Sequence, residues 1–216
     1  MSIKLVAFDF DQTLASVNAP SSWQLIDREL DCLEDDKSIT ADYHSGKISY
    51  GEWSRQTAGL YRKYGLTKKR FDEILDKNVK PNEGVMRVLD ALAEKGIRTA
   101  IISGSLLNIY DFIQKKFGLK VDKISFASQF HFDKNGNLSG GEFNDYDYEG
   151  KVDALRKIAA ELGITLEETA FVGDYLNDIF VFNNVALSIA FRPQHDKVKE
   201  AAKVIINDMT EILKYV

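Results

Sequence analysis

The segment Leu5-Val6-Ala7-Phe8-Asp9-Phe10-Asp11-Gln12-Thr13 joins a four-residue apolar run to two carboxylates two positions apart. An apolar run of that length, with nothing polar in it, predicts a strand buried on both faces, the environment of a parallel sheet covered by helices. Four more runs of strand length, apolar apart from Thr99, Ser125 and Ser188, follow at Thr99 to Ile102, Ile124 to Ala127, Ala170 to Val172 and Leu187 to Phe191. Between them the apolar spacing is helical: Val85, Val88, Leu89, Leu92; then Leu106, Ile109, Tyr110, Ile113; then Val152, Leu155, Ile158, Leu162. Strand and helix alternate, so the chain reads as an α/β protein with a doubly wound parallel sheet.

Two stretches depart from the alternation. From about Ser22 to Asn78 the spacing is helical without an intervening strand, which predicts an inserted helical subdomain over residues 16–78, the core being 1–15 and 79–216. Its expected buried stripes are Trp23, Ile26, Leu30, Leu33; Tyr50, Trp53, Thr57, Leu60, Tyr64; and Phe71, Ile74, Leu75. Between Phe126 and Phe143, alternating segments flank Asn135-Gly136, a hairpin signal because both residues tolerate positive φ.

Composition narrows the function. The 216 residues are 44% hydrophobic, enough for a sizeable core, and 33 acidic against 28 basic residues give a net charge of -5, which argues against a nucleic-acid partner. The acidic run from Glu29 to Asp36 reads as a solvated helix face. A lone cysteine, Cys32, rules out an internal disulfide and a Cys-rich metal site. With no cleavable leader after Met1-Ser2-Ile3-Lys4 and no long apolar run, the expected setting is cytoplasmic, without a membrane partner.

Chemistry concentrates where strands end. Asp9 and Asp11 point the same way by period-two geometry, at the edge of an open sheet where ligands bind. Hard carboxylate oxygens there suit Mg²⁺, although turn-forming aspartates would leave the same trace. A second pair, Asp174 and Asp178 in Gly173-Asp174-Tyr175-Leu176-Asn177-Asp178, follows another strand; Asp174 could equally be an N-cap, which leaves Asp178 unexplained. Ser103-Gly104-Ser105 ends a third strand and is expected to open a helix, either as a phosphate cradle or as a plain cap. Lys151 falls in the first turn of a helix, where the macrodipole disfavours a cation unless an anion lies beside it. His44, His131 and His195 have no partner at metal-ligand spacing and read as structural or exposed.

In this order (DxDxT, serine, lysine, GDxxxD) the motifs resemble the haloacid dehalogenase superfamily of phosphotransferases, over nearly the whole chain. The insertion after the first motif looks like the cap of the phosphoserine phosphatase branch. The resemblance implies a Rossmann-like core and a Mg²⁺-dependent phosphatase acting on a small phosphorylated metabolite. By the same resemblance Asp9 is the nucleophile and Asp11 the general acid and base. Ser103, Gly104 and Lys151 bind phosphate, Asn177 contacts substrate, and Asp9, Asp11, Asp174 and Asp178 form the metal site. Phosphotransfer to an alcohol would use the same residues, and a receiver-like phospho-signalling domain is a further alternative that the insertion opposes.

The sequence departs from that branch in three places. Gln12 replaces a small residue, and Ser105 stands where a second glycine is common. The Glu and Arg with which phosphoserine phosphatases hold the substrate amine and carboxylate have no match: Ser16 to Trp23 is free of acids, and the arginine position falls near Thr57, with Arg55 two residues earlier. A substrate other than phosphoserine is therefore expected, and Asn18, Ser22, Trp23, Arg55 and Thr57 are the candidate specificity residues.

Overall fold

A computed structural model of the chain describes residues 2–146 and 148–216. In chain order its strands are β1 (Leu5–Phe8), β2 (Ala15–Val17), β3 (Val79–Pro81), β4 (Arg98–Leu106), β5 (Lys123–Phe132), β6 (Leu138–Phe143), β7 (Thr169–Gly173), β8 (Leu187–Phe191) and β9 (Val204–Ile206). Its α-helices are α1 (Ser22–Leu30), α2 (Leu33–His44), α3 (Tyr50–Lys63), α4 (Lys68–Asn78), α5 (Val85–Glu94), α6 (Leu107–Phe117), α7 (Glu149–Glu161), α8 (Ile179–Phe182) and α9 (Asp196–Ala201).

Seven strands form one sheet in the order β6-β5-β4-β1-β7-β8-β9, parallel except for the β5–β6 hairpin. All four residues of β1 are buried, and they divide by period two. Val6 and Phe8 face a core shared with α5 and α6, whereas Leu5 and Ala7 face one shared with α7 and α8. The sheet is thus covered on both faces, and β1 lies between β4 and β7. The carboxyl ends of those three central strands share one edge, which brings together sequence positions more than a hundred residues apart.

The four helices from α1 to α4 run consecutively between β2 and β3, which pair antiparallel as a short ribbon of their own. Ser21, Ser49 and Thr67 cap α1, α3 and α4 by accepting from the amides of Gln24, Glu52 and Arg70. The ribbon is a correction to the sequence reading. Strands of three residues carry too little periodicity to stand out, and β9 escaped for the same reason.

The buried stripes hold except at their ends: Leu33 and Tyr64 are exposed, because one begins α2 and the other follows the last turn of α3. Asp36 departs in the other direction. It is buried within the acidic run expected to be solvated, its carboxylate accepting from the hydroxyls of Thr40 (2.6 Å) and Thr57 (2.7 Å). Of Asn135 and Gly136 in the β5–β6 hairpin, only Gly136 has a positive φ, 81°. The loop is instead organised by Asp133, whose carboxylate accepts from the amides of Asn135 (2.8 Å) and Asn137 (2.9 Å). Among the described residues no helix is long and apolar enough to cross a membrane.

Phe130 on β5 joins hairpin to helices, its ring 5.8 Å from Trp23, 6.1 Å from Tyr61 and 5.8 Å from Phe71, with little solvent reaching any of the four. Phe130→Ala is expected to cost about 3–5 kcal/mol, read as a lowered urea midpoint with an unchanged m-value.

Candidate active site

Asp9 is the first residue beyond β1, and its amide still donates to Val172 of β7 (2.8 Å), so the strand pairing fixes where its side chain starts. The chain then turns sharply. Gln12 takes a positive φ of 57°, a costly position for a non-glycine residue. Its side-chain amide offsets the strain by donating to the carbonyls of Val17 (2.9 Å) and Ala19, while Asn82 donates to the carbonyls of Gln12 and Thr13 (both 2.9 Å). The departure noted at Gln12 is therefore a staple for the turn.

Lys151, in the first turn of α7, is wholly buried. Its Nζ lies 2.7 Å from Asp178 Oδ1 and 3.1 Å from Asp9 Oδ1, the first a hydrogen bond and the second an ion pair without hydrogen-bond alignment. Burial alone would depress the Lys151 pKa, but the Asp178 and Asp9 carboxylates outweigh it and hold the amine charged. These acids are the anions that a cation in a first helical turn needs.

Asp174 follows β7 and is held by the Thr13 hydroxyl (3.0 Å) and the Gln194 amide (2.7 Å). The N-cap reading of Asp174 is corrected: Asp178 binds the turn, its Oδ2 accepting from the amides of Asp174 (3.0 Å) and Tyr175 (3.1 Å). Only a glycine fits at 173, since a Cβ there would meet Asp178 Oδ2 at 2.3 Å. Asp9, Asp174 and Asp178 each offer an oxygen within 4.8 Å of the others. Burial, then the neighbouring carboxylates, push the Asp174 pKa well up; burial raises Asp178 despite Lys151. Three buried carboxylates with one ammonium are short of positive charge, and Asp9 Oδ1 accepts no aligned hydrogen bond. A hard divalent cation such as Mg²⁺ fits that donor set.

Asp11 lies outside this cluster. Its Oδ2 accepts from the Ser22 amide (2.7 Å), its Oδ1 is buried without a partner, and burial raises its pKa against the hydrogen bonds from Ser22. Ser103 is buried, its hydroxyl accepting from the Ser105 amide (3.2 Å). It does not open a helix. β4 continues through an irregular pairing with β5 as far as Leu106, and α6 begins only at Leu107, so the backbone at 103–105 is a bulged strand extension. At Gly104 a Cβ would sit 2.8 Å from the Tyr50 hydroxyl, which donates to the Gly104 carbonyl.

Asp9, Asp11, Ser103, Gly104, Asp174 and Asn177 form the floor of one cavity of about 410 Å³ roofed by residues of α1, α2 and α3, with Lys151 and Asp178 buried beneath the floor. The Asn177 side-chain oxygen is buried and unpartnered. Ser22 and Ser105 share a hydroxyl contact (2.7 Å), and the Gly51 amide donates to Asp145 (2.8 Å), so the helices are fastened over the strand ends. A larger depression of about 1020 Å³, between α4 and α6, is lined by surface residues such as Lys68, Asp72 and Lys116 and contains none of these acids.

Of the candidate specificity residues, Trp23 lines the cavity, Ser22 holds Asp11, and Thr57 holds Asp36. Asn18 and Arg55 are exposed, and Arg55 pairs with Glu52 away from the cavity. His131 is exposed beside Glu142, and His44 and His195 are exposed at the cavity rim. Sequence reasoning missed Thr13, Gln194, Tyr50, Asp27 and Asp36. Thr13 belongs to the first motif and could have been found there, but the others carry no local signal.

Asp27, buried on α1, has its pKa pushed up to about 7 by burial and then by the Asp36 charge. A carboxyl raised in the folded state contributes stability that is full below its ordinary value and lost as the pH climbs through about 7. Asp27→Asn removes that dependence, so its melting temperature relative to wild type is expected to be several degrees higher at about pH 8 than at about pH 5. A pH-independent difference would contradict the buried charge.

A family description, haloacid dehalogenase-like hydrolase, matches residues 3–185. Phosphoserine phosphatase from Methanocaldococcus jannaschii is 34% identical over 218 residues, covering 99% of this chain and 97% of the relative. Its counterpart from Lactococcus lactis is 34% identical over 156 residues, covering 71% and 68%. A solved phospho-aspartyl intermediate analogue of phosphoserine phosphatase superposes with a TM-score of 0.79 at 30% identity, each chain covered completely. On the order of its motifs, its topology and these relatives, the chain belongs to the haloacid dehalogenase-like hydrolases, in their phosphoserine phosphatase-like branch.

Proposed function

We propose that the protein is a Mg²⁺-dependent phosphatase that hydrolyses a small phosphate monoester, other than phosphoserine, through an aspartyl phosphate on Asp9. The observation that carries this reading is the Asp9 carboxylate itself, with the Lys151 ammonium 3.1 Å away and Asp174 and Asp178 beside it, on the floor of a small cavity. The relative solved as a phospho-aspartyl intermediate analogue supports the same chemistry. Residues 16–78 act as the cap and 1–15 with 79–216 as the catalytic core; a cavity of about 410 Å³ under such a cap suits a diffusible metabolite.

Substrate phosphate lies against Ser103, Gly104 and Lys151, with Asn177 reaching the ester. An Asp9 oxygen attacks phosphorus as the bond from phosphorus to the alcohol oxygen breaks, and Asp11 delivers its proton to the departing alkoxide. Asp11, now a carboxylate, takes a proton from water. The water oxygen attacks phosphorus, the bond to Asp9 breaks, and inorganic phosphate leaves. Burial favours the protonated form of Asp11 that the first step requires. Lys151 offsets negative charge on the phosphoryl oxygens throughout, a role that needs the permanent charge its acidic neighbours secure. Asp9, Asp174 and Asp178 would hold Mg²⁺, which neutralises phosphate charge when bound. Asp11, expected as a fourth ligand, is assigned proton transfer alone because its carboxylate lies outside the cluster of Asp9, Asp174 and Asp178.

Released phosphate, measured across small phosphate esters and an aryl phosphate, is expected with Mg²⁺ and not after chelation. Asp9→Asn, folded by circular dichroism, is expected to lower kcat at least about a thousandfold. Turnover by that variant within about tenfold of wild type would overturn the assignment of the nucleophile.

A further inference from the structure

Above the catalytic floor, the cavity presents two carboxylates that the hydrolytic steps do not use. Asp27 and Asp36 line it, both are almost fully buried, and among the described residues neither has an ion-pair partner. Asp36 is fixed by neutral groups only, the hydroxyls of Thr40 and Thr57, and Thr40 in turn accepts from Trp53 Nε1 (3.0 Å). Asp27 takes only a weak thiol contact from Cys32 (3.7 Å) and an interaction with the Tyr61 hydroxyl.

The wall beside these acids is aromatic. Trp23 and Trp53 lie 5.0 Å apart, and Tyr43 stacks on Trp53 at 5.5 Å. Trp23, itself a lining residue, is 4% exposed, and its buried indole N–H has no acceptor among the described residues. Among the described residues no lysine or arginine lines the cavity; Lys151 lies beneath, committed to Asp9 and Asp178.

We infer that the substrate is a phosphate monoester of an alcohol carrying a cationic nitrogen and no carboxylate, its nitrogen seated between Asp27, Asp36 and the Trp23–Trp53 wall. The inference rests on the phosphatase reading of the site below and specifies its substrate class. Two buried anions without a counter-ion are costly, and a ligand cation offsets both while aromatic faces attract it further. A substrate carboxylate would meet the same two acids with no lysine or arginine to hold it, His44 and His195 being exposed at the rim, so the argument that admits the cation disfavours an amino acid ester. Burial first, and then the Asp36 charge, raise the Asp27 pKa, in keeping with a buried acid that has no counter-ion.

The decisive comparison uses wild-type protein with Mg²⁺ and two esters of one shape, phosphocholine and its neutral carbon analogue 3,3-dimethylbutyl phosphate. O-phosphoethanolamine, O-phosphoserine and p-nitrophenyl phosphate complete the set. A kcat/KM at least about tenfold higher for a cationic ester than for the neutral analogue and for phosphoserine is expected. Asp36→Asn, which keeps oxygen and shape but loses charge, is expected to lower the preference for cation over neutral analogue at least about fivefold, chiefly through KM. Hydrolysis of p-nitrophenyl phosphate with no preference for the cationic esters, or a preference for phosphoserine, overturns this inference and leaves the phosphatase intact. Absence of phosphate release from every ester, the aryl phosphate included, overturns both.

Discussion

An ammonium with no access to water sits between the carboxylates of Asp9 and Asp178, with Asp174 beside them, and those two acids hold it charged. Removing Lys151 would leave Asp9 and Asp178 as buried anions without a counter-charge, while removing the acids would leave a buried cation; either is among the more costly defects a core can carry. The cluster nevertheless remains one cation short, with Asp9 Oδ1 unsatisfied by any aligned hydrogen bond. This imbalance makes the site receptive to a divalent ion and to phosphate together. It also explains why the surrounding backbone is so tightly specified: Gly173 leaves room for Asp178, Gln12 staples the turn after Asp9, and Gln194 crosses over to hold Asp174.

The sheet contributes position. Strands β4, β1 and β7 are neighbours although far apart in sequence, and each ends within reach of the cavity. The helices between β2 and β3 contribute enclosure, through Ser22 and Tyr50 on the β4 extension and Gly51 on Asp145. One cavity therefore has a floor of carboxylates, serines and backbone, to which the proposed reading gives the phosphoryl chemistry, and a ceiling of independent composition, acidic and aromatic. Such a division lets the same hydrolytic groups serve different alcohols, because the floor need only recognise phosphate.

Much of this was legible from residue order. β1 and β8 fall where mainly apolar runs place them, since burial on both faces leaves little alternation to confuse. Lys151 betrayed itself by standing where the helix dipole opposes it. Legibility fails where a structure depends on long-range contact. The ribbon of β2 and β3 is too short for a period. Ser103 was misplaced because a strand extended by a bulge looks like a strand end followed by a helix. Asp27 and Asp36 look like other acids on amphipathic helices until α1, α2 and α3 assemble around them, and Arg55 looked like a ligand until its helix turned it to solvent.

The account stands or falls with the carboxylate of Asp9 becoming covalently bound to phosphorus. The protein should be mixed with a hydrolysed ester and Mg²⁺, quenched in acid during turnover, digested and mapped by mass spectrometry. A single phosphoryl group on Asp9, absent when ester is omitted, is the predicted result. Steady turnover with no phosphoryl-aspartate, or with the group on another side chain, would contradict it.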